Sequence, residues 1–118
     1  MQKLGTVVID DSILGPSDAG KQMEIEVFSE DSETLIRIDC HDFQELLARK
    51  LPSGILIPII SALRDFFSKK GSHSVTVKVI GKYQMNRKYP VEMTPEEFYI
   101  LEEKIKENVQ KFIEKKKH

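Results

Sequence analysis

The sequence predicts an α+β domain, an antiparallel sheet of about five strands with three helices in the order β-β-β-α-α-β-β-α. Three observations predict it. Met23-Glu24-Ile25-Glu26-Val27 alternates apolar and acidic side chains, the period of a strand with one buried and one wet face. A short polar stretch then separates it from a second β-branched run, which is hairpin spacing. Thr94-Pro95-Glu96-Glu97 joins an N-cap threonine, a proline at N1 and a glutamate at N3, and an amphipathic stripe follows.

Taken in order, Gly5-Thr6-Val7-Val8-Ile9 is a short β-branched strand that breaks at Asp10-Asp11-Ser12. Gly15-Pro16-Ser17-Asp18-Ala19-Gly20 is a loop, because glycine admits positive φ, proline fixes φ, and Asp and Ser bond to local backbone. The strand at 23–27 turns through Ser29-Glu30-Asp31-Ser32-Glu33 and returns as Thr34-Leu35-Ile36-Arg37-Ile38-Asp39. Asp42 with Glu45 three residues on forms a capping box for a short helix carrying Phe43, Leu46 and Leu47, ended by Pro52-Ser53-Gly54.

A second helix is placed near Pro58, since proline is best tolerated in a first turn. Its apolar face is Ile59, Leu63, Phe66 and Phe67, and Lys69-Lys70-Gly71 supplies bases and a glycine at its C-terminus. Val75, Val77, Val79, Tyr83 and Met85 share one parity and Thr76, Lys78, Lys82 and Gln84 the other, which predicts a long strand with a basic face. Asn86-Arg87-Lys88 then reads as a turn, and Tyr89-Pro90-Val91-Glu92-Met93 as a short edge strand. The last helix carries Phe98, Leu101, Ile105, Val109 and Phe112 on one stripe, with Glu102/Lys106 and Glu107/Lys111 pairs outside it. It either covers the sheet or reaches a second copy.

The chain of 118 residues fits a single domain, 1–118, with 113–118 read as a frayed tail. That length buries a core without disulfide or metal staples. Its 40% apolar and 31% charged residues are ordinary globular values. Cys40 is the single cysteine, so there is no internal disulfide, and the expected location is the cytoplasm. Residues 1–5 lack the apolar core of a secretory leader, and the longest apolar run, 54–60, is far short of a membrane span.

Charge is sorted into blocks. Residues 1–48 carry net −8, residues 49–88 net +8, and the remainder is nearly neutral, so the total of −1 hides two opposed fields.

Candidate chemistry is thin. Gly15 to Lys21 matches the spacing of a phosphate-binding loop, but Gln22 stands where a magnesium-holding hydroxyl belongs, and a strand follows where a helix N-terminus is required. Cys40-His41-Asp42 holds three catalytic residue types, but neighbours on an extended chain point to opposite faces. His41, His73 and His118 lack ligand spacing, so no metal and no cofactor is expected. Glu24 and Glu26 share a strand face without a cleft to separate their pKa values.

The basic segment is the best candidate for a charged ligand. Lys78, Lys82, Arg87 and Lys88 with nearby tyrosines suit nucleic acid or a phosphorylated ligand, although a pI near 6.3 argues against a general nucleic-acid binder. The alternative is cross-strand pairing with the acidic hairpin.

The leading expectation is a small non-catalytic binding protein, adaptor or inhibitor in type, acting through its polarised surface. It takes a protein partner or a second copy on the last helix (Phe98, Leu101, Ile105, Val109, Phe112) or on the 55–60 segment. Binding of nucleic acid or a phosphorylated ligand is the alternative, and no membrane association is expected.

Overall fold

A computed structural model describes residues 1–15, 20, 22–39, 53–71 and 84–116. The expected helix opening at Asp42 falls outside them, as does the strand expected at 75–85 except for Gln84 and Met85, so Lys78 and Lys82 lie outside too. The α+β class holds. The described elements run β1 (Gln2–Ile9), α1 (Asp11–Leu14), β2 (Met23–Glu30), β3 (Glu33–Asp39), α2 (Ser53–Lys69), β4 (Gln84–Tyr89) and α3 (Pro95–Lys116). Among the described residues the sheet has four strands, ordered β1-β2-β3-β4, each antiparallel to its neighbour.

Alternation along the strands assigns the two faces. Val7, Ile25 and Ile38 are fully buried and mutually in register, so this side carries the core. On the opposite side Glu26 accepts from Lys3 Nζ at 3.0 Å and lies 4.0 Å from Arg37, a charge ladder across three strands. Val8, Phe28 and Leu35 are half-buried along that face. The β2–β3 hairpin is tighter than the expected five-residue turn. Asp31 and Ser32 alone make it, with φ of 47° and 64°, the left-handed pair whose twist matches a two-residue hairpin.

In β1 the register shifts between Lys3 and Gly5, a bulge that lets Leu4 pack on the core while Gly5 lies against Phe98 of α3. Where a plain break was expected after β1, Asp10 caps α1. Its carboxylate accepts from Ser12 N at 3.0 Å and from the Ser12 hydroxyl, and these bonds hold it below the usual carboxylate range.

Helices α2 and α3 cover the core side and run antiparallel. Lys70 pairs with Glu97, Asp65 with Lys104 at 3.4 Å, and Asn108 Nδ2 donates to the Pro58 carbonyl at 3.3 Å. The last helix therefore covers the sheet, and it continues to Lys116, with Ile113 packed on the core in the stretch read as a tail. Its N-terminus forms the expected capping box. Glu97 N donates to Thr94 Oγ1 at 3.2 Å and Thr94 N donates to Glu97 Oε1 at 3.1 Å, an arrangement in which the cap residue contributes about 1 kcal/mol.

Three boundary expectations need correction. Helix α2 begins at Ser53 rather than near Pro58, so Pro58 lies inside it. Burial of Pro58, Ile59, Ala62, Leu63 and Phe67 against the rest of the core outweighs one lost backbone hydrogen bond. Asn86-Arg87-Lys88 is not a turn but the middle of β4, because β3 offers a free ladder edge and the register Arg37↔Asn86, Ile36↔Arg87, Leu35↔Lys88 fills it. The strand expected at 89–93 ends at Tyr89, where Pro90 supplies no N–H. Beyond it the chain is tied back through the buried Thr34, whose hydroxyl donates to the Val91 carbonyl at 2.7 Å.

Candidate functional site

The outward seam between α2 and α3 is concave. Ile57, Pro58 and Ser61 of α2 face Asn108, Lys111, Phe112 and Lys115 of α3 around a cleft of about 250 Å³. A second cleft of about 410 Å³, lined by Ile57, Ile60, Ser61, Arg64 and Asp65, continues it over the outer side of α2. Because Ile57 and Ser61 belong to both, the two form one trough. Helical spacing produces this arrangement. Residues 58, 59, 62, 63, 66 and 67 turn inward, which leaves 57, 61, 64 and 65 on the wet side.

Ile57 is the unusual residue in this trough. It is 56% exposed, although it comes from the most apolar run in the chain. Around it stand Arg64, Lys111 and Lys115 against the single carboxylate of Asp65. Asp65 is already held by Lys104, and Lys111 by Glu107 at 2.8 Å, a bond that draws the Glu107 carboxyl below and the Lys111 ammonium above their ordinary values. Arg64 and Lys115 make no ion pair among the described residues. The trough is thus an apolar floor with a net cationic rim.

The structure redistributes the residues expected to form sites. Phe98, Leu101, Ile105 and Val109 are at most 5% exposed and belong to the core, so the stripe expected as an interface is spent inside the chain. Phe112, at its far end, is half-buried and is the one member that reaches the trough. Arg87 and Lys88 are adjacent on a strand and face opposite sides of the sheet. Arg87 shares the helix side with Ile36, whereas Lys88 sits on the other face, 3.7 Å from both Glu30 and Glu33. Lys88 thereby offsets the repulsion of two glutamates placed opposite each other beside the hairpin turn. The phosphate-loop spacing ends the same way. Gly15 and Gly20 take positive φ, and the Gly20 N–H donates to the Asp11 carboxylate at 3.1 Å.

Sequence reasoning reached part of the trough, since Ile57 lies in the 55–60 segment. It missed Ser61, Arg64, Lys111 and Lys115. The signal available was the polar stripe at helical spacing, on α2 for Ser61 and Arg64 and on α3 for Lys111 and Lys115. Tyr99 and Ile100, 66% and 61% exposed on α3, were missed in the same way, as they lie just outside the apolar stripe.

One buried group behind α2 has chemistry of its own. Tyr89 is fully buried and stacks on Phe67, and its hydroxyl has no hydrogen-bond partner among the described residues. Burial pushes its phenol up to about 12, against the opposing pull of the Arg87 and Arg64 guanidiniums. Between the ordinary value of 10 and about 12 the native chain keeps a proton that the unfolded chain has lost, so this group makes stability fall as pH rises through that interval. Tyr89→Phe should raise stability near neutral pH by about 1 kcal/mol, because a desolvated hydroxyl without a partner is removed. It should also flatten the alkaline decline relative to wild type. Urea melts at pH 7, 10 and 11.5 check both effects, and a variant less stable than wild type at pH 7 would show that the hydroxyl is bonded.

No protein-family model, no curated protein and no solved structure matches this chain. Among the described residues no three His, Cys, Asp or Glu side chains gather as metal ligands, and no helix is long and apolar enough to cross a membrane.

Proposed function

We propose that this protein is a small non-catalytic binding protein of the cytoplasm, adaptor or inhibitor in type, that takes a protein partner in the trough between α2 and α3. One observation carries the reading. Ile57 is more than half exposed on a helix whose Ile59, Leu63, Phe66 and Phe67 pack inward, and it stands in a concavity with Pro58 and Phe112 beside it. An apolar anchor point ringed by polar and charged groups is the usual anatomy of a protein interface. The shape supports the same conclusion, since two shallow linked clefts accept side chains from a macromolecule more readily than they enclose a small molecule.

The alternative, binding of nucleic acid or a phosphorylated ligand by 78–88, has less support. Arg87 and Lys88 diverge to opposite faces, and two glutamates engage Lys88.

Affinity capture at low salt on immobilised wild-type protein, Ile57→Asp and Lys88→Ala separates the two readings. Ile57→Asp should leave the fold within about 0.5 kcal/mol of wild type, since it alters an exposed position. The expected result is a protein retained by wild type and by Lys88→Ala and lost by Ile57→Asp. A bound set indifferent to Ile57→Asp would reject the trough, and nucleic acid released by Lys88→Ala would put the alternative in its place.

A further inference from the structure

Resting on that reading, we infer that the trough's occupant is an amphipathic helix with acidic ends, supplied by a partner protein. The inference follows from how charge is placed around the apolar floor. The rim holds three cations and one carboxylate, and two of those cations, Arg64 and Lys115, make no ion pair among the described residues. A basic segment would bring like charge to both.

Their positions also set the occupant's length. Asn108 meets Pro58, and the helices are antiparallel, so Arg64 lies six residues from that level in one direction and Lys115 seven residues from it in the other. At ~1.5 Å per residue the Cα atoms of Arg64 and Lys115 are offset by roughly 20 Å along the helix axes. Ile57 and Phe112 lie between them. The complementary ligand is a helix of about four turns, with apolar anchors at its centre and a carboxylate near each end. It would lie along the seam as a third helix, its central side chains filling the space beside Ile57 while its termini meet Lys115 and Arg64. A short acidic loop lacks the central anchors, and a small dicarboxylate lacks the span.

The test is an amide-shift NMR titration of the full chain with two helical peptides of about 18 residues, long enough to hold helix in water. Both carry leucine at two central positions one turn apart. One has glutamates at each end and the other has lysines. The glutamate-ended peptide should shift the amides of Ile57, Ser61, Asn108 and Lys111 and bind at least about tenfold more tightly than the lysine-ended one. In Arg64→Glu/Lys115→Glu the order of preference should reverse.

If both peptides shift the same amides with equal affinity, the trough is a docking site but its charge selectivity is refuted. If neither shifts them, the trough itself falls as a binding surface for helices. If the glutamate-ended peptide binds and the double variant keeps the preference, Arg64 and Lys115 are not its determinants and the inference is overturned.

Discussion

Phe67→Ala should lower the unfolding free energy by about 3–5 kcal/mol, the range for removing a buried aromatic ring from a packed core. Phe67 is fully buried, lies 3.8 Å from the Tyr89 ring at an interplanar angle of 3°, and meets Phe66 edge-on at 5.3 Å. Its ring is where α2 contacts the last residue of β4. The stack is close to face-to-face, which ring quadrupoles favour less than an edge-on approach, so burial of both rings carries most of the interaction. Truncation leaves a void against Tyr89 that neither element can close without moving, and small domains have only about 5–15 kcal/mol in total. Urea unfolding followed by circular dichroism should show the midpoint falling with little change in slope. A loss below about 1 kcal/mol would mean that α2 does not rest on β4 through this ring.

Gly5→Ala should cost about 1–3 kcal/mol, a strain penalty of the kind produced by overpacking. The sign is the informative part. In a strand, alanine for glycine ordinarily helps by restricting the unfolded chain. Here a Cβ on Gly5 would lie 2.4 Å from Cε1 and 2.5 Å from Cζ of Phe98, whose ring is only 5% exposed at the first turn of α3. One of them has to move. Since Phe98 and the bulge in β1 are what seat α3 on the sheet, the cost falls on that contact. The double variant Gly5→Ala/Phe98→Leu should be less destabilised than the sum of its parts, because the smaller side chain makes room for the methyl group. Additive costs, or a stabilised Gly5→Ala, would show that α3 does not lie against β1 as described.

The legible parts of the fold were those whose physics is local. The capping box at Thr94 and Glu97 is closed by residues three apart and needs no knowledge of the rest of the chain. The period-two pattern of 23–27 shows a half-buried strand wherever it is placed. The Glu102/Lys106 and Glu107/Lys111 pairs form because i,i+4 positions on a helix are neighbours by geometry. Elements that depend on a remote partner were misread. Asn86-Arg87-Lys88 has turn composition, but an open edge on β3 offers its backbone a ladder of hydrogen bonds that composition cannot register. Pro58 marks a helix start in local terms, yet the helix runs through it, with Pro58 itself and Ile59, Ala62 and Leu63 after it buried.

The candidate site divides along the same line. Composition and periodicity alone established the α+β class, the apolar helix stripes and the segregation of charge. They did not establish which apolar residues would stay in water. The stripe of Phe98, Leu101, Ile105 and Val109 is as apolar as any interface, and it is consumed by β1 and α2. Ile57 belongs to an equally apolar run and is left outside, because α2 is rotated so that Phe67 reaches Tyr89 and Pro58 reaches Asn108. Likewise Arg87 and Lys88, adjacent in one basic block, part to opposite faces once β4 is a strand. Side-chain chemistry is a property of each residue, whereas exposure and neighbours follow from the orientation of whole elements, which is set by contacts between segments as distant in sequence as Gly5 and Phe98.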